Sequence, residues 1–300
     1  MINSEREEKS PAPCKATGFS YGKESMRKYD ILFLDIDGTL IASDHFTLSP
    51  RNRQALTAAR QAGVKLSIAS GRCLKILPQQ VMDFGFDYAI TSNGAAVQDL
   101  KTGEVLYRNG LSARQAALAY GVLRPRTDYI EWFADGEILL AQDSYDLIGT
   151  HEIPPWHAAY FSQGNTPVVS SVEEYIAQGA PGLEKIAIVR YPKEVIAAIV
   201  EGLRPLNEFK LASSIGRSLE IVRADCDKAA AIRVLCEKRG FDMARTAACG
   251  DAGNDVEMLA AVGCGAAMGN AKDSVKALAA CVTASNDEDG VAQFIEEHVL

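Results

Sequence analysis

The sequence predicts an α/β protein: a parallel sheet flanked by helices, interrupted once by a smaller α+β unit. Three observations carry this. Residues 31–34 (Ile-Leu-Phe-Leu) form an apolar run that ends at Asp35 and turns at Gly38-Thr39, as a strand buried on both faces does. From Tyr29 to Asn93 strand-like and helix-like segments alternate, the pattern of a parallel sheet with crossover helices. After Asn93 the rhythm gives way to strand pairs around Thr102-Gly103 and Asp135-Gly136, which read as antiparallel hairpins. It resumes near Asp225.

Taken in order, residues 1–28 are polar and aperiodic with scattered Pro and Gly, and read as a flexible tail. A strand over 30–36 leads to a helix near 49–62, stopped by Gly63, a residue suited to a left-handed C-terminal cap. Next come a strand over 64–70, a short helix halted around Pro78 and a strand over 88–93. In the inserted unit, 95–110 and 128–143 are hairpins. A helix at 171–178, a strand at 185–191, a helix at 192–203 and strands at 209–213 and 218–222 follow. The closing segment reads as helix 228–240, strand 245–251, helix 254–263, strand 264–269, helix 272–280, strand 281–285 and a last helix near 289–298. The predicted domains are a core of 29–96 and 218–300 and an insertion of 97–217.

Composition narrows the function. Net charge is -8 and the isoelectric point about 5.2, which argues against nucleic acid and anionic membranes as partners, since both select clustered Lys and Arg. No apolar stretch has transmembrane length and 1–27 lacks the apolar stretch of a signal peptide, so the expected location is the cytoplasm. The seven cysteines form no Cys-x-x-Cys pair, and the four histidines show no zinc-ligand spacing. Carboxylates are left to carry the chemistry.

Four candidate positions fall where an apolar strand ends, the place at which open α/β sheets bind ligands. The first is Asp35-Ile36-Asp37-Gly38-Thr39. Alternate residues of an extended chain share a face, so Asp35 and Asp37 point one way and Ile36 the other. The segment is either a simple strand-ending turn or a nucleophilic carboxylate at Asp35 beside a proton-transfer group at Asp37. Two such acids and a phosphate would require a divalent cation, and oxygen ligands favour Mg²⁺. The second is Ser70-Gly71-Arg72, a common turn or a cradle for phosphoryl oxygens. Third is Lys228, at the start of its helix behind a cap at Asp227; a cation there opposes the helix dipole unless an anion lies near. The fourth, Cys249-Gly-Asp251-Ala-Gly-Asn254-Asp255, is either a helix start capped by Asn254 and Glu257 or a metal-binding strand end.

In order and spacing, "DIDGT", "SGR", a helix-opening lysine and "GDAGND" resemble the haloacid dehalogenase superfamily of phosphotransferases. The resemblance is to its Cof-type sugar-phosphatase branch, whose cap lies between the second and third motifs; "TSNGA" at 91–95 and the stretch 268–292 are similar to that branch as well. It implies a Rossmann-like core with an inserted cap that sets specificity. It also implies a Mg²⁺-dependent phosphatase acting on a small phosphorylated metabolite, a sugar phosphate, through an aspartyl phosphate. Asp35 would be nucleophile and metal ligand, and Asp37 general acid/base with its main-chain carbonyl on the metal. Asp251 and Asp255 would serve the metal. Ile36, Ser70, Gly71, Arg72, Asn93, Gly94, Lys228 and Asn254 would serve the phosphate or the leaving group. Serine stands at 70 where threonine is commoner, and "DCDK" stands where a glycine-containing turn is usual. A phosphomutase is the near alternative, but its relatives carry the cap soon after the first motif. A non-catalytic phospholigand-binding protein is the other, though it would be free to lose Asp35 or Asp37. Glu131, Trp132, Trp156 and His157 could reach a leaving group, and no role is assigned to them.

Overall fold

The computed structural model describes residues 28–212 and 217–300. The predicted tail lies outside these, apart from its last residue. The first strand, β1 (Ile31–Leu34), is followed by helix α1 (Pro50–Gln61), β2 (Lys65–Ala69), α2 (Gln79–Phe84) and β3 (Tyr88–Thr91). Ser49 caps α1 by accepting from the Asn52 N–H, with Pro50 at the first helical position, where its missing N–H costs nothing. Pro78 precedes α2 as its cap residue and starts a helix where the sequence reading had it stop one; a single helical turn, Leu74–Ile76, lies before it.

The hairpin β4 (Ala96–Asp99) and β5 (Val105–Arg108) follows, then α3 (Ala113–Leu123), β6 (Glu131–Ala134) and β7 (Glu137–Ala141). Helices α4 (Gln142–Tyr145) and α5 (Pro155–Phe161), strand β8 (Val168–Val169), α6 (Val172–Ala177), β9 (Leu183–Ile188), α7 (Lys193–Leu203), β10 (Phe209–Ala212) and β11 (Leu219–Arg223) complete the middle of the chain. The return segment is α8 (Lys228–Arg239), β12 (Thr246–Gly250), α9 (Val256–Ala261), β13 (Cys264–Ala267), α10 (Asp273–Lys276), β14 (Cys281–Val282) and α11 (Gly290–Phe294), continued by Ile295–Val299. Helices α3, α4 and α5 and strand β8 are additions to the sequence reading. Among the described residues no helix is long and apolar enough to cross a membrane.

Two sheets result. The larger has the order β14-β13-β12-β1-β2-β3-β4-β5, parallel from β14 to β3 and antiparallel through the hairpin. The smaller runs β10-β11-β9-β6-β7-β8 and is antiparallel except where β8 joins β7. Both boundaries of the insertion therefore move. The hairpin 96–108, assigned from sequence to the insertion, extends the core sheet, because β3 pairs with β4 and buried Val97 and Leu106 pack with the apolar face of α8. Strand β11, assigned to the core, belongs to the smaller sheet through its pairing with β9 and β10.

Parallel pairing fixes the site. Leu34 lies opposite both Cys249 and Ile68, so the residues after β1, β2 and β12 emerge side by side at one edge. The smaller sheet covers that edge with its own apolar core around Trp132, Phe133, Tyr129 and Ile186.

Candidate active site

At the C-terminal edge of the core sheet, Asp35, Asp251 and Asp255 each present a carboxylate oxygen within 4.8 Å of the others. Among the described residues the cation bonded within this cluster is Lys228. Its fully buried ammonium donates to Asp35 Oδ1 and Asp255 Oδ1, each at 2.6 Å. The misfit of a lysine in a helix's first turn is thereby explained: the anions stand at the N-terminus of α8, and Asp227 caps the helix as expected by accepting from the Ala230 N–H at 2.7 Å.

Three acids and one ammonium do not balance. Burial first, and then the charges of Asp255 and Asp251, push the Asp35 carboxyl well above its ordinary value, although Lys228 opposes them. Burial and the charge of Asp255 likewise raise Asp251 to about 6. The cluster holds more negative charge than its surroundings compensate. A hard cation with oxygen ligands would relieve it, so the donor set fits Mg²⁺ or a similar ion. Backbone approach keeps the cluster tight. Gly38 is left-handed (φ 76°), and a Cβ there would lie 2.4 Å from Asp251 Oδ2. Asp255 also accepts from the Asp251 and Ala252 N–H groups at 3.0 Å each. This acid therefore fixes the turn, for which a cap of Asn254 and Glu257 was one of the two alternatives.

Asp37 stands apart. Its carboxylate takes a forked pair of bonds from Arg72, 2.6 and 2.8 Å long, and one from His45 Nδ1 at 3.0 Å. Burial pushes this carboxyl up, but the His45 and Arg72 hydrogen bonds and the guanidinium charge outweigh it and hold it at about 2. Arg72 also donates to the Ile76 and His45 carbonyls. Its guanidinium thus bonds Asp37 while lining the same cavity as Asp35, Ser70 and Gly71.

Ser70 and Gly71 line the cavity beside Asp35 and Asp251, as does Asn254. Ser70 Oγ accepts from the Arg72 N–H at 3.1 Å. Asn93 bridges Glu220 Oε2 (2.6 Å) and the Asn254 amide (3.0 Å). It is left-handed, as are its neighbours Ser92 and Gly94. Such a run is held only by tight surroundings; here the Ser92 hydroxyl bonds the buried Glu184. Gly94 is required by packing: a Cβ would lie 2.3 Å from the Asp227 carbonyl oxygen. The Ile36 side chain is buried in the core away from the cavity.

Sequence reasoning passed over several residues that the fold brings in. Lys185, buried in the middle of β9, reaches across to the Gly71 carbonyl at 2.6 Å and pairs with Glu220. A lysine inside the apolar run "LEKIAI" was its signal. His45 had none, because its partner Asp37 is reached only through a loop. Trp156 of α5 packs against His45 with ring centroids 4.4 Å apart and planes tilted by 43°, and the Arg72 guanidinium lies 5.4 Å from the Trp156 ring. Of the two tryptophans, Trp132 is wholly core. Core and cap together enclose a cavity of about 280 Å³.

Comparisons with known proteins agree with this geometry. A family model described as haloacid dehalogenase-like hydrolase matches residues 32–295. The chain is 27% identical over 287 residues to the phosphatase YwpJ of Bacillus subtilis strain 168, covering 90% of this chain and 99% of that one. It is 28% identical over 275 residues to the pyridoxal phosphate phosphatase YbhA of Escherichia coli K12, covering 90% and 98%. Among solved structures, a haloacid dehalogenase-like hydrolase from B. subtilis superposes with a TM-score of 0.76 at 26% identity, over 90% of this chain and all of the other.

Proposed function

Because the chain belongs to the haloacid dehalogenase-like hydrolase family, in its Cof-type branch, and is a phosphoric monoester hydrolase, we propose that it dephosphorylates a small sugar-phosphate-like metabolite through an aspartyl phosphate on Asp35. The observation that carries this is the placement of Asp35. One oxygen is bonded to the buried Lys228, and the carboxylate lines the cavity beside Ser70 and Asp251.

Asp35 attacks phosphorus, and the leaving oxygen departs on the cavity side, where Asp37 lies. Lys228, the Ser70 hydroxyl and the backbone at Gly71 compensate charge on the phosphoryl oxygens. Asp35 and Asp251, with the Asp37 main-chain carbonyl, would hold Mg²⁺, while Asp255 fixes Lys228 and the turn around Asp251. That ion, when bound, neutralises the charge shared by the acids and the phosphoryl group.

Asp37 is the proton-transfer group. Held at about 2 by His45 and Arg72, it is ionised before substrate arrives. The incoming phosphate dianion raises it, as a like charge raises any carboxyl; it takes up a proton from solvent, gives that proton to the leaving oxygen, and later takes one from the attacking water. The cap must open between these halves to admit water and release the alcohol.

The test compares two variants on phenyl phosphate with Mg²⁺. Asp35→Asn should lose roughly 10⁴-fold or more in turnover while remaining folded, and activity within a few fold of wild type rejects it as nucleophile. Asp37→Asn should instead accumulate covalently bound phosphate after mixing. A variant that stays unlabelled counts against the two-step route.

A further inference from the structure

The cap wall holds a polar device that the reaction at Asp35 does not use. Glu131, in the buried strand β6, is fully inaccessible, and its Oε1 accepts from the Tyr129 hydroxyl at 3.0 Å and from His157 Nδ1 at 2.9 Å. Its Oε2 has no hydrogen-bond donor among the described residues. Leaving a buried carboxylate oxygen unmet is unfavourable, and a cap core built only for stability would favour an apolar residue there. The arrangement does fix one thing. With Nδ1 spent on Glu131, the imidazole is held in one orientation by Phe133, Phe161 and Trp156, whose rings lie 6.0–6.4 Å away. His157 lines the cavity that Asp35 faces, whereas Glu131 and Tyr129 do not. Nε2 has no protein partner among the described residues.

The charges around it limit what it can meet. Arg72 and Lys185 are the Arg and Lys side chains on the cavity wall, and each is paired with a carboxylate, Asp37 and Glu220. The histidine is itself set against Glu131. The cap side of the cavity therefore offers no surplus positive charge for a second anionic group. It offers the His157 nitrogen beside apolar Pro154, Ile188 and Val189, with Ser218 and the paired Lys185 and Glu220 as its other polar side chains.

We propose that His157, positioned by Glu131, is the specificity-determining residue of the cap. It reads, through Nε2, an uncharged leaving group that carries a hydroxyl or equivalent hydrogen-bonding group, so the preferred substrates are monophosphates of neutral small molecules and not bisphosphates. This rests on the phosphatase reading above. Glu131 and Tyr129 are positioning residues that act through His157.

The experiment measures kcat and KM with Mg²⁺ for wild type, His157→Asn and His157→Gln. The esters are glucose 6-phosphate, ribose 5-phosphate, sorbitol 6-phosphate, fructose 6-phosphate, fructose 1,6-bisphosphate and phenyl phosphate, whose leaving group carries no second polar group. Asn keeps an atom where Nδ1 was but none at Nε2, and Gln places an amide near Nε2. The best polyol or sugar monophosphate should exceed both phenyl phosphate and the bisphosphate in wild type. His157→Asn should reduce its advantage over phenyl phosphate on the order of tenfold, mainly through KM, and His157→Gln should restore most of it. An unchanged ratio in His157→Asn, or equal losses on both esters in both variants, makes the pair merely structural and overturns the assignment. Equal efficiency on the bisphosphate overturns the uncharged leaving group. Hydrolysis of phenyl phosphate without these preferences sinks this inference alone, whereas hydrolysis of no ester sinks the phosphatase reading with it.

Discussion

The floor and the roof of the cavity handle charge in opposite ways. On the floor, at the parallel strand ends, three carboxylates cluster around one buried ammonium that bonds Asp35 and Asp255, and the excess shows in the raised Asp35 and Asp251. On the roof, the ammonium of Lys185 meets the carboxylate of Glu220 one to one, and His157 hydrogen-bonds Glu131. Unmatched buried charge is costly and persists where a ligand completes it. Matched charge orients side chains without calling for an ion. The difference separates the place where phosphate and metal would be handled from the place where the rest of the substrate would be judged.

The harshest way to break this comparison is Lys228→Met. It leaves the floor's acids facing one another with no cation, and removing one partner of a buried pair costs about 3–5 kcal/mol. Turnover should fall by about 10²–10³-fold as well. Mg²⁺ should recover part of the stability, read as a larger metal-induced rise in Tm than in wild type; no difference in that rise would show that the acids are not the ion's site.

Acid titration sharpens the contrast, because two carboxyls shift in opposite directions from the same ordinary value of 3.8. Asp251, raised to about 6, binds its proton more tightly folded than unfolded. Its contribution is most favourable below pH 4 and is lost as pH rises to about 6. Asp37, lowered to about 2, contributes stability that is full above pH 4 and lost as pH falls towards 2. In the presence of a chelator, Asp251→Asn should flatten the pH 4–6 limb of the urea midpoint and Asp37→Asn the limb below 4. Limbs of the same sign would contradict the division.

The smallest effect belongs to the roof. Lys185→Met and Glu220→Gln should each destabilise by about 2–3 kcal/mol, but the double variant by only about 1 kcal/mol, since a matched pair is nearly replaceable by neutral groups. A double variant as unstable as the sum of the two would mean that the pair is not self-contained. On the floor no single partner exchange offers such rescue, because Lys228 serves two acids at once.

Much of this was legible in the amino-acid order. Apolar runs closed by acids marked the ends of β1 and β12, and the resemblance implied that Asp35, Ser70, Lys228 and Asp251 serve one site; that β1 lies between β12 and β2 is strand order, which the fold decided. Local rules also set the cap at Asp227, for it depends on residues a turn apart. Strand membership was not local. Hairpin 96–108 and strand 219–223 have alternation that either sheet could accept, and only pairing with β3 and with β9 decided between them. Side-chain commitment was likewise tertiary: Arg72 meets Asp37 only across the strand ends, and Glu131 and His157 become a unit only when α5 folds back over β6. Backbone patterning is written in neighbours along the chain, whereas the partner of a buried charge is whichever group the completed fold brings within about 3 Å.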